Sequence, residues 1–207
     1  MTAALRRRFA DLLGRLGASG DAAPLFDRLH APYGAPDRAY HDTRHLTDCL
    51  AELDGAPDLG ADRDLAEAAL WFHDVVYDTR SSDNEERSAT WAAQQLEAAG
   101  ISPRATAEVA RLIRLTRHSE PAPDPTGRLV CDIDLVVLGR DAARFGEFER
   151  GIRKEYAWVP EPEYRAGRRQ FLQALLARRS IYQTDHFQRR HEAAARRNLE
   201  TLIARLD

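Results

Sequence analysis

Hydrophobic residues recur with the period of an α-helix in nearly every segment between the glycines and prolines of this chain. No stretch shows the alternating, β-branched pattern of a half-buried strand. The run at residues 129–139 is short, apolar and rich in valine, and we interpret it as a buried helix. The pattern therefore predicts an all-α fold.

Capping residues, glycines and prolines divide the chain into its predicted helices. These helices span residues 2–16, 22–29, 40–53, 61–77, 84–99, 103–118, 129–139, 142–156, 161–182 and 185–206. The chain has 207 residues, of which 43% are hydrophobic, and this is enough to bury a substantial core. We expect residues 1–207 to form a single domain.

Composition excludes several classes of protein. No window approaches the roughly 18 consecutive apolar residues of a membrane span, and the basic start lacks an apolar signal region, so we expect a cytoplasmic protein. A formal net charge of -3 argues against a partner that is a nucleic acid polymer. Cys49 and Cys131 both lie in apolar-periodic segments and are interpreted as buried thiols without chemistry.

The pair His73-Asp74 follows an apolar helical run at residues 66–72. Burying a neutral imidazole beside an ionised carboxylate costs several kcal/mol if neither group is compensated. A divalent cation can compensate both groups at once. The pair therefore indicates a metal site, and further ligands are expected elsewhere in the chain.

Metal ligands on different helices can converge inside a bundle. His45, the pair His73-Asp74 and Asp134 supply nitrogen and oxygen donors in the order His, His-Asp, Asp. Such a set suits manganese, nickel, magnesium, iron or zinc. The last donor could instead be Asp132. The two aspartates lie two positions apart and so point to different helix faces, and the sequence alone does not say which face is directed at the other donors.

These residues lie within longer motifs: YHDTRHL at 40–46, FHDVVYD at 72–78, DNEERSA at 83–89 and DIDL at 132–135. On them the chain resembles the HD-domain superfamily of metal-dependent phosphohydrolases. It is most similar to a bacterial branch described as predicted metal-dependent HD phosphohydrolases, and that similarity continues at residues 152–156, 167–168 and 181–184. The resemblance covers most of the chain.

The resemblance implies a single HD-type helical bundle with the metal site between core helices. It implies that His45, His73, Asp74 and the later aspartate bind one divalent cation, which holds substrate phosphate and activates water. The substrate would be a phosphate ester or anhydride of a small molecule, and we expect a nucleotide; the chain could form a homodimer. The family's last ligand usually follows a small or apolar residue and precedes leucine, which favours Asp134 over Asp132.

Three further residues are candidates for catalysis through the resemblance. Asp78 and Glu85 lie near the place where related enzymes carry an acid that orients water or polarises the leaving group, although loop acids are also often solvated or capping. His118 lies where several HD families carry an extra histidine facing the metal pocket, and a helix-end histidine is the alternative. His41 is expected to hydrogen-bond a metal ligand or to pack at the helix entry.

Phosphate binding would fall to basic side chains near these motifs. Arg44 and Arg87 are the best-placed guanidiniums, because the arginine fork matches phosphate oxygens. Lys154 and Arg168 are outer candidates. Arg87 could instead pair with an acid on its own helix.

Two other functions stay open beside the hydrolase. One is a non-catalytic regulatory module that binds a metal or a nucleotide through the same residues. The other is a di-iron oxygenase, which needs further histidine ligands, and the sequence offers only His41 and His118 for them.

Overall fold

The computed structural model describes residues 2–58, 60 and 62–206. These residues form helices, turns and loops without a strand, so the predicted all-α fold is confirmed. No helix in this described part has both the length and the apolar character needed to cross a membrane. The helices are α1 (Thr2–Arg15), α2 (Ala23–Tyr33), α3 (Thr43–Gly55), α4 (Arg63–Phe72), α5 (Asn84–Ala98), α6 (Pro103–Leu115), α7 (Pro125–Asp134), α8 (Ala142–Glu155), α9 (Glu161–Leu176), α10 (Asp185–Phe187) and α11 (Ala193–Leu206).

Helix α4 lies at the centre of the bundle. Every residue from Ala66 to Phe72 is buried, and the helix contacts α1, α3, α5, α6 and α7. Trp71 and Phe72 pack against the ring of Phe9 in α1, with ring centroids 5.1 and 6.0 Å apart. A helix that is apolar on all sides is stable only when it is surrounded by others. The His73-Asp74 pair at its end therefore lies inside the molecule.

The central helix ends at Phe72, and not at residue 77 as the periodicity predicted. Beyond it, the guanidinium of Arg38 donates hydrogen bonds to the carbonyl oxygens of Asp74 at 2.6 Å and Val75 at 3.0 Å. In the described chain, no backbone amide of a further helical turn donates to these carbonyls, and the Arg38 guanidinium donates to them instead. The amide of His73 still donates the helical hydrogen bond to the carbonyl of Ala69 at 2.9 Å, so the His73-Asp74 pair lies at the very end of α4, where the chain turns.

Helix α3 begins at Thr43, and not at residue 40 as predicted. The carboxylate of Asp42 accepts hydrogen bonds from the amides of Arg44 at 2.8 Å and His45 at 3.1 Å, which is the geometry of a helix N-cap. His41 therefore precedes the helix, and His45 lies in its first turn.

The predicted helix at residues 129–139 consists of two parts. Helix α7 ends at Asp134, and a 3₁₀ helix follows at Leu135–Gly139. A Cβ atom on Gly139 would lie 2.6 Å from the Cβ of His191, so this glycine permits a close approach to the C-terminal helices. Asp134 thus lies where the backbone changes from α to 3₁₀ geometry.

Other helix ends also differ from the prediction. Helix α2 ends at Tyr33 and not at residue 29, and α7 begins at Pro125 and not at residue 129. Helix α6 ends at Leu115 and not at residue 118, and α9 ends at Leu176 and not at residue 182. The C-terminal segment comprises α10 and α11, joined by a π-helical turn at Gln188–Glu192. Helix periodicity continues through these ends because the residues beyond them are also half-buried, so the hydrophobic pattern alone does not locate them.

Candidate metal centre

Four side chains carried by three helices meet in the middle of the bundle. His45 lies in the first turn of α3, His73 and Asp74 directly follow α4, and Asp134 is the last residue of α7. Both imidazoles are buried and both carboxylates are half-buried. The structure thus brings together the His, His-Asp and Asp residues that the sequence singled out.

The donor atoms of this cluster lie close to one another. The Nε2 atoms of His45 and His73 are 3.1 Å apart. His73 Nε2 lies 3.0 Å from Asp74 Oδ2 and 3.4 Å from Asp134 Oδ1, and His45 Nε2 lies 3.4 and 3.3 Å from the same two oxygens. Two donors bound to one ion at about 2.1 Å lie about 3.0 Å apart at a right angle and about 3.4 Å apart at the tetrahedral angle. The spacing fits one small divalent cation.

Two further features suit these residues to a cation. His73 Nδ1 lies 2.9 Å from the carbonyl oxygen of Leu70, which can only accept, so Nδ1 carries a proton and Nε2 is the nitrogen that faces the cluster. Asp74 Oδ2 is buried and accepts no hydrogen bond within the described chain. A buried carboxylate oxygen without a donor is costly, and a cation is one partner that would satisfy it.

The four groups hold each other in their charged forms when no cation is bound. Burial acts to lower the pKa of His45 and of His73, but nearby ionisable groups raise both values well above the ordinary 6.5, so a cation would displace a proton from each imidazole. Burial acts to raise the pKa of Asp74, but the imidazoles of His73, His41 and His45 outweigh burial and hold that pKa well below its ordinary value. Burial also acts to raise the pKa of Asp134, but the neighbouring imidazoles lower it, and the resulting pKa is well below its ordinary value. Both carboxylates are therefore ionised at neutral pH, which is the form that binds a cation.

Cys49 also faces the cluster, and the sequence interpretation had assigned it no chemistry. Its Sγ atom lies 3.7 Å from His45 Nε2, and Cys49, His45 and Asp134 form a second group whose donor atoms lie within 4.8 Å of one another. The spacing of four residues between His45 and Cys49 on α3 was the signal in the sequence. A thiol donor would favour zinc or iron over magnesium.

Asp132, the alternative last donor, points away from the cluster. Its carboxylate accepts hydrogen bonds from the amides of Gln183 at 2.6 Å and Thr184 at 2.8 Å, and from the hydroxyl of Thr184 at 2.7 Å. Burial raises the pKa of Asp132 to about 6 despite these donors. Asp132 therefore anchors the segment between α9 and α10, and Asp134 is the aspartate beside His45 and His73.

His118 contacts the cluster from behind Asp134. Its Nε2 atom lies 2.8 Å from Asp134 Oδ2, while Asp134 Oδ1 faces His45 and His73. The backbone of His118 has a φ of 54°, which is uncommon for a residue with a side chain. Its Nδ1 atom is buried without a hydrogen-bond partner in the described chain. This imidazole therefore orients the Asp134 carboxylate.

A cavity of about 470 Å³ opens onto the cluster. Asp74, Asp134, His41 and His118 form part of its wall. Among the other candidates from the sequence, Glu85 and Arg168 also line it. The remaining wall is largely aromatic and aliphatic, and its residues include Tyr40, Tyr77, Phe148, Ile152, Tyr156, Val159, Tyr164 and Phe171.

Asp78 and Arg87, two other candidates from the sequence, are not among the residues that line this cavity. Asp78 is exposed, and its carboxylate accepts a hydrogen bond from the amide of Arg80 at 2.9 Å, which shapes the loop after the His73-Asp74 pair. Arg87 is exposed on α5, with its guanidinium 3.9 Å from Asp83. The sequence had left open that Arg87 pairs with an acid on its own helix and does not bind phosphate, and this exposed pair fits that alternative.

Arg44 and Lys154 also lie outside the main cavity and line a second cavity of about 230 Å³. Arg44 pairs with Glu147 at 3.1 Å and is exposed. Successive residues of an α-helix are rotated by about 100°, so Arg44 points away from the site that its neighbour His45 faces. The position of Arg44 next to His45 in the sequence therefore did not predict the direction of its side chain.

Arg168 lines the main cavity, but its charge is already compensated. Its guanidinium donates to both oxygens of Glu149, with Nε 3.1 Å from Oε2. The same group lies over the rings of Phe148 and Phe171, at 5.2 and 5.0 Å from their centroids. It therefore organises the aromatic wall and has little capacity left to hold phosphate.

Glu155 is a site residue that the sequence interpretation missed, although it lies in one of the motifs that carry the resemblance. Its Oε1 atom accepts hydrogen bonds from the amides of Ala39, Tyr40 and His41 at 2.7–2.9 Å. Its Oε2 atom lies 2.8 Å from His41 Nδ1 and accepts from the hydroxyl of Tyr77 at 3.1 Å. The carboxylate keeps the proton of His41 on Nδ1, so Nε2 retains its lone pair.

Comparison with known proteins adds no relative. No protein-family model, curated protein or solved structure matches this chain. The functional assignment therefore depends on the motifs of the sequence and on the geometry of the site.

Proposed function

We propose that this protein is a metal-dependent phosphohydrolase that cleaves a phosphate ester or anhydride of a small molecule, with a nucleotide as the expected substrate. The observation that carries the proposal is the convergence of two histidines and two aspartates, in which the two Nε2 atoms lie 3.1 Å apart and each lies 3.0–3.4 Å from a carboxylate oxygen of both aspartates. The two aspartates also line a cavity of about 470 Å³. A cavity of that volume suits a ligand of nucleotide size. The motifs shared with the HD superfamily contain the same four residues, which supports this proposal.

His45, His73, Asp74 and Asp134 would hold one divalent cation, which is manganese, nickel, magnesium, iron or zinc. Such a cation supplies a Lewis acid that stabilises charge on phosphoryl oxygens and lowers the pKa of water from about 16 toward about 7. His118 holds the Asp134 carboxylate through Oδ2 at 2.8 Å, so that Oδ1 stays directed at the two imidazoles. Ligands fixed in this way need no rearrangement to bind.

His41 is the residue best suited to carry a proton during hydrolysis. It lines the cavity beside Asp74, and its ring is stacked on that of Tyr77 with centroids 4.0 Å apart. Hydrolysis adds water to phosphorus and breaks one P–O bond, so one proton leaves the water and one joins the departing oxygen. His41 Nε2 can accept the first and donate the second, while Glu155 at Nδ1 stabilises the imidazolium between the two transfers.

Glu85 is a secondary candidate for the same task. It lies at the start of α5, lines the cavity and is half-buried. Its carboxylate has no hydrogen-bond partner in the described chain, whereas His41 is held by two groups. A proton carrier needs a fixed position, and this favours His41.

The first test measures metal content and phosphate release together. The purified protein is treated with a chelator, and manganese, nickel, magnesium, iron or zinc is restored separately before incubation with nucleotides and sugar phosphates. We expect one ion per chain and metal-dependent release of phosphate. The variants His73→Ala and Asp74→Asn should lose both while retaining their helix content.

His186→Ala is the matched control, because this histidine lies in α10, away from the cluster, and should change neither metal content nor turnover. Full metal occupancy in both site variants would contradict the proposed ligands. Stable metal binding without phosphate release from any substrate would contradict the hydrolase and favour a regulatory module. Two irons per chain with oxygen-dependent turnover would favour the oxygenase.

A further inference from the structure

One face of α9 forms the wall of the main cavity. Tyr164, Gly167, Arg168 and Phe171 all line the cavity, and their spacing of three, four and seven residues places them on one side of the helix. Phe171 is 42% exposed, although it is a large apolar side chain. The ring of Tyr156, which also lines the cavity, packs against that of Tyr164, with centroids 6.3 Å apart. The guanidinium of Arg168 lies over one face of the Phe171 ring, and that of Arg153 lies over the Tyr164 ring at 4.5 Å from its centroid. The exposed aromatic surface of this wall therefore belongs mainly to Phe171.

Gly167 leaves a gap in this wall. A Cβ atom built on Gly167 would meet no other atom within 4 Å, so packing does not require a glycine there. A glycine inside a helix is less favourable than alanine by about a factor of five in the folding equilibrium. The missing side chain leaves the helix backbone accessible from the cavity, between Tyr164 and Phe171.

The charges around the cavity restrict the number of phosphates that it can hold. Its wall carries four carboxylates, which belong to Asp74, Glu85, Asp134 and Glu163. One divalent cation would compensate two of them. Arg168 is neutralised by Glu149, so Arg117 is the arginine of the wall without an ion pair in the described residues. This balance disfavours a triphosphate, which would bring about four negative charges.

We infer that the substrate is a phosphate monoester with a planar ring in its alcohol, and that Gly167 determines this specificity. The single phosphate lies at the metal centre, and the ring lies against α9 over Gly167, between Tyr164 and Phe171. Aromatic side chains bind nucleobases by stacking, and a glycine lets a flat ring approach the helix closely. The inference rests on the proposed hydrolase and narrows its substrate to nucleoside monophosphates and similar ring-bearing monoesters.

The test compares substrates that differ only in the ring or in the number of phosphates. We would measure kcat/KM for the four common nucleoside 5′-monophosphates, for ribose 5-phosphate and for the matching triphosphates. The wild-type protein should favour at least one monophosphate over ribose 5-phosphate by about ten- to a hundredfold, as expected for base stacking. The same monophosphate should be favoured over its triphosphate.

Gly167→Leu should fill the gap without disturbing the packing of α9. We expect it to lower the preference for the monophosphate over ribose 5-phosphate by about tenfold, through a higher KM for the nucleotide. Gly14→Leu is the matched control: Gly14 is a helical glycine in α1 that also has no atom within 4 Å of a built Cβ, and it is far from the cavity. This variant should keep the wild-type preference.

Calorimetric binding of the nucleoside monophosphates, measured without added metal, separates this inference from the proposed function. Binding that Gly167→Leu weakens, without phosphate release by the wild type, would support the ring site and contradict the hydrolase. Metal-dependent hydrolysis with equal use of ribose 5-phosphate, or with a preference that Gly167→Leu leaves unchanged, would contradict the ring site alone. A preferred triphosphate would also overturn it.

Discussion

The carboxylate of Glu155 should contribute a large share of the stability of this protein. It joins α8 to the loop before α3, because it accepts five hydrogen bonds from Ala39, Tyr40, His41 and Tyr77. A hydrogen bond to a charged group contributes about 1.5–3 kcal/mol, but bonds that share one carboxylate are not additive. Since Ala39 is exposed, water can reach part of this loop when the carboxylate is removed. We expect Glu155→Ala to lower the free energy of unfolding by about 3–5 kcal/mol.

Glu155→Gln separates the stability of the loop from the state of His41. The glutamine keeps an oxygen for the three backbone amides and loses the charge, so we expect a loss of about 1–2 kcal/mol. Its NH₂ group can face His41 Nδ1 only as a donor, which would move the imidazole proton to Nε2. If His41 is the proton carrier, kcat should fall strongly in this variant while KM changes little.

Urea unfolding followed by far-ultraviolet circular dichroism measures both losses. Glu200→Ala is the control, because Glu200 is an exposed glutamate on α11, and it should change stability by less than about 0.5 kcal/mol. A loss below about 1 kcal/mol in Glu155→Ala would refute the argument that this carboxylate holds the loop. Unchanged kcat in Glu155→Gln would exclude His41 as the proton carrier.

Four further outcomes are expected. Burial acts to raise the pKa of Glu155, but the hydrogen bonds that its carboxylate accepts lower this pKa below the ordinary 4.5. In urea unfolding, the wild type should therefore be more stable than Glu155→Gln above pH 4.5, and this advantage should vanish at lower pH. Asp132→Ala should cost about 2–4 kcal/mol in urea unfolding yet retain metal, whereas Asp134→Ala should lose metal in a chelator assay. His118→Ala should weaken metal affinity by about ten- to a hundredfold in chelator competition. Gly139→Ala, whose Cβ would lie 2.6 Å from another side-chain carbon, should cost about 1–3 kcal/mol in urea unfolding.

Much of the fold could be predicted from the sequence, but several helix ends could not. The apolar run at residues 66–72 predicted a buried helix, and it is the central one. The periodic pattern continued to residue 77, because Val75 and Val76 are apolar and partly covered as well. The end at Phe72 depends on Arg38, a residue that precedes α3 and donates to the carbonyls of Asp74 and Val75. No local pattern reports a capping group that comes from another segment.

The residues of the candidate site also divide into those that could be identified from the sequence and those that could not. His45, His73, Asp74 and Asp134 could be selected from the sequence because few residue types bind metal and because their motifs resemble those of a known family. The arginines could not be selected in this way. Arg44 and Arg87 lie within site motifs yet do not line the main cavity, and Arg168 lines the cavity with its charge compensated by Glu149. Burial and pairing decide the role of an arginine, and both depend on distant partners.

The sequence by itself determined the all-α fold, the apolar helical run that forms α4 and the residue types that can bind a cation, because these follow from periodicity, apolar composition and donor chemistry. The resemblance favoured Asp134 over Asp132, and the tertiary structure places Asp134 beside His45 and His73 while Asp132 bonds to Gln183 and Thr184. It is the tertiary structure that determines which helix face each aspartate occupies. It also decided that Glu155 holds His41 and that Gly167 opens the aromatic wall. Residues more than 100 positions apart acquire such roles only when helix packing brings their side chains within hydrogen-bond distance.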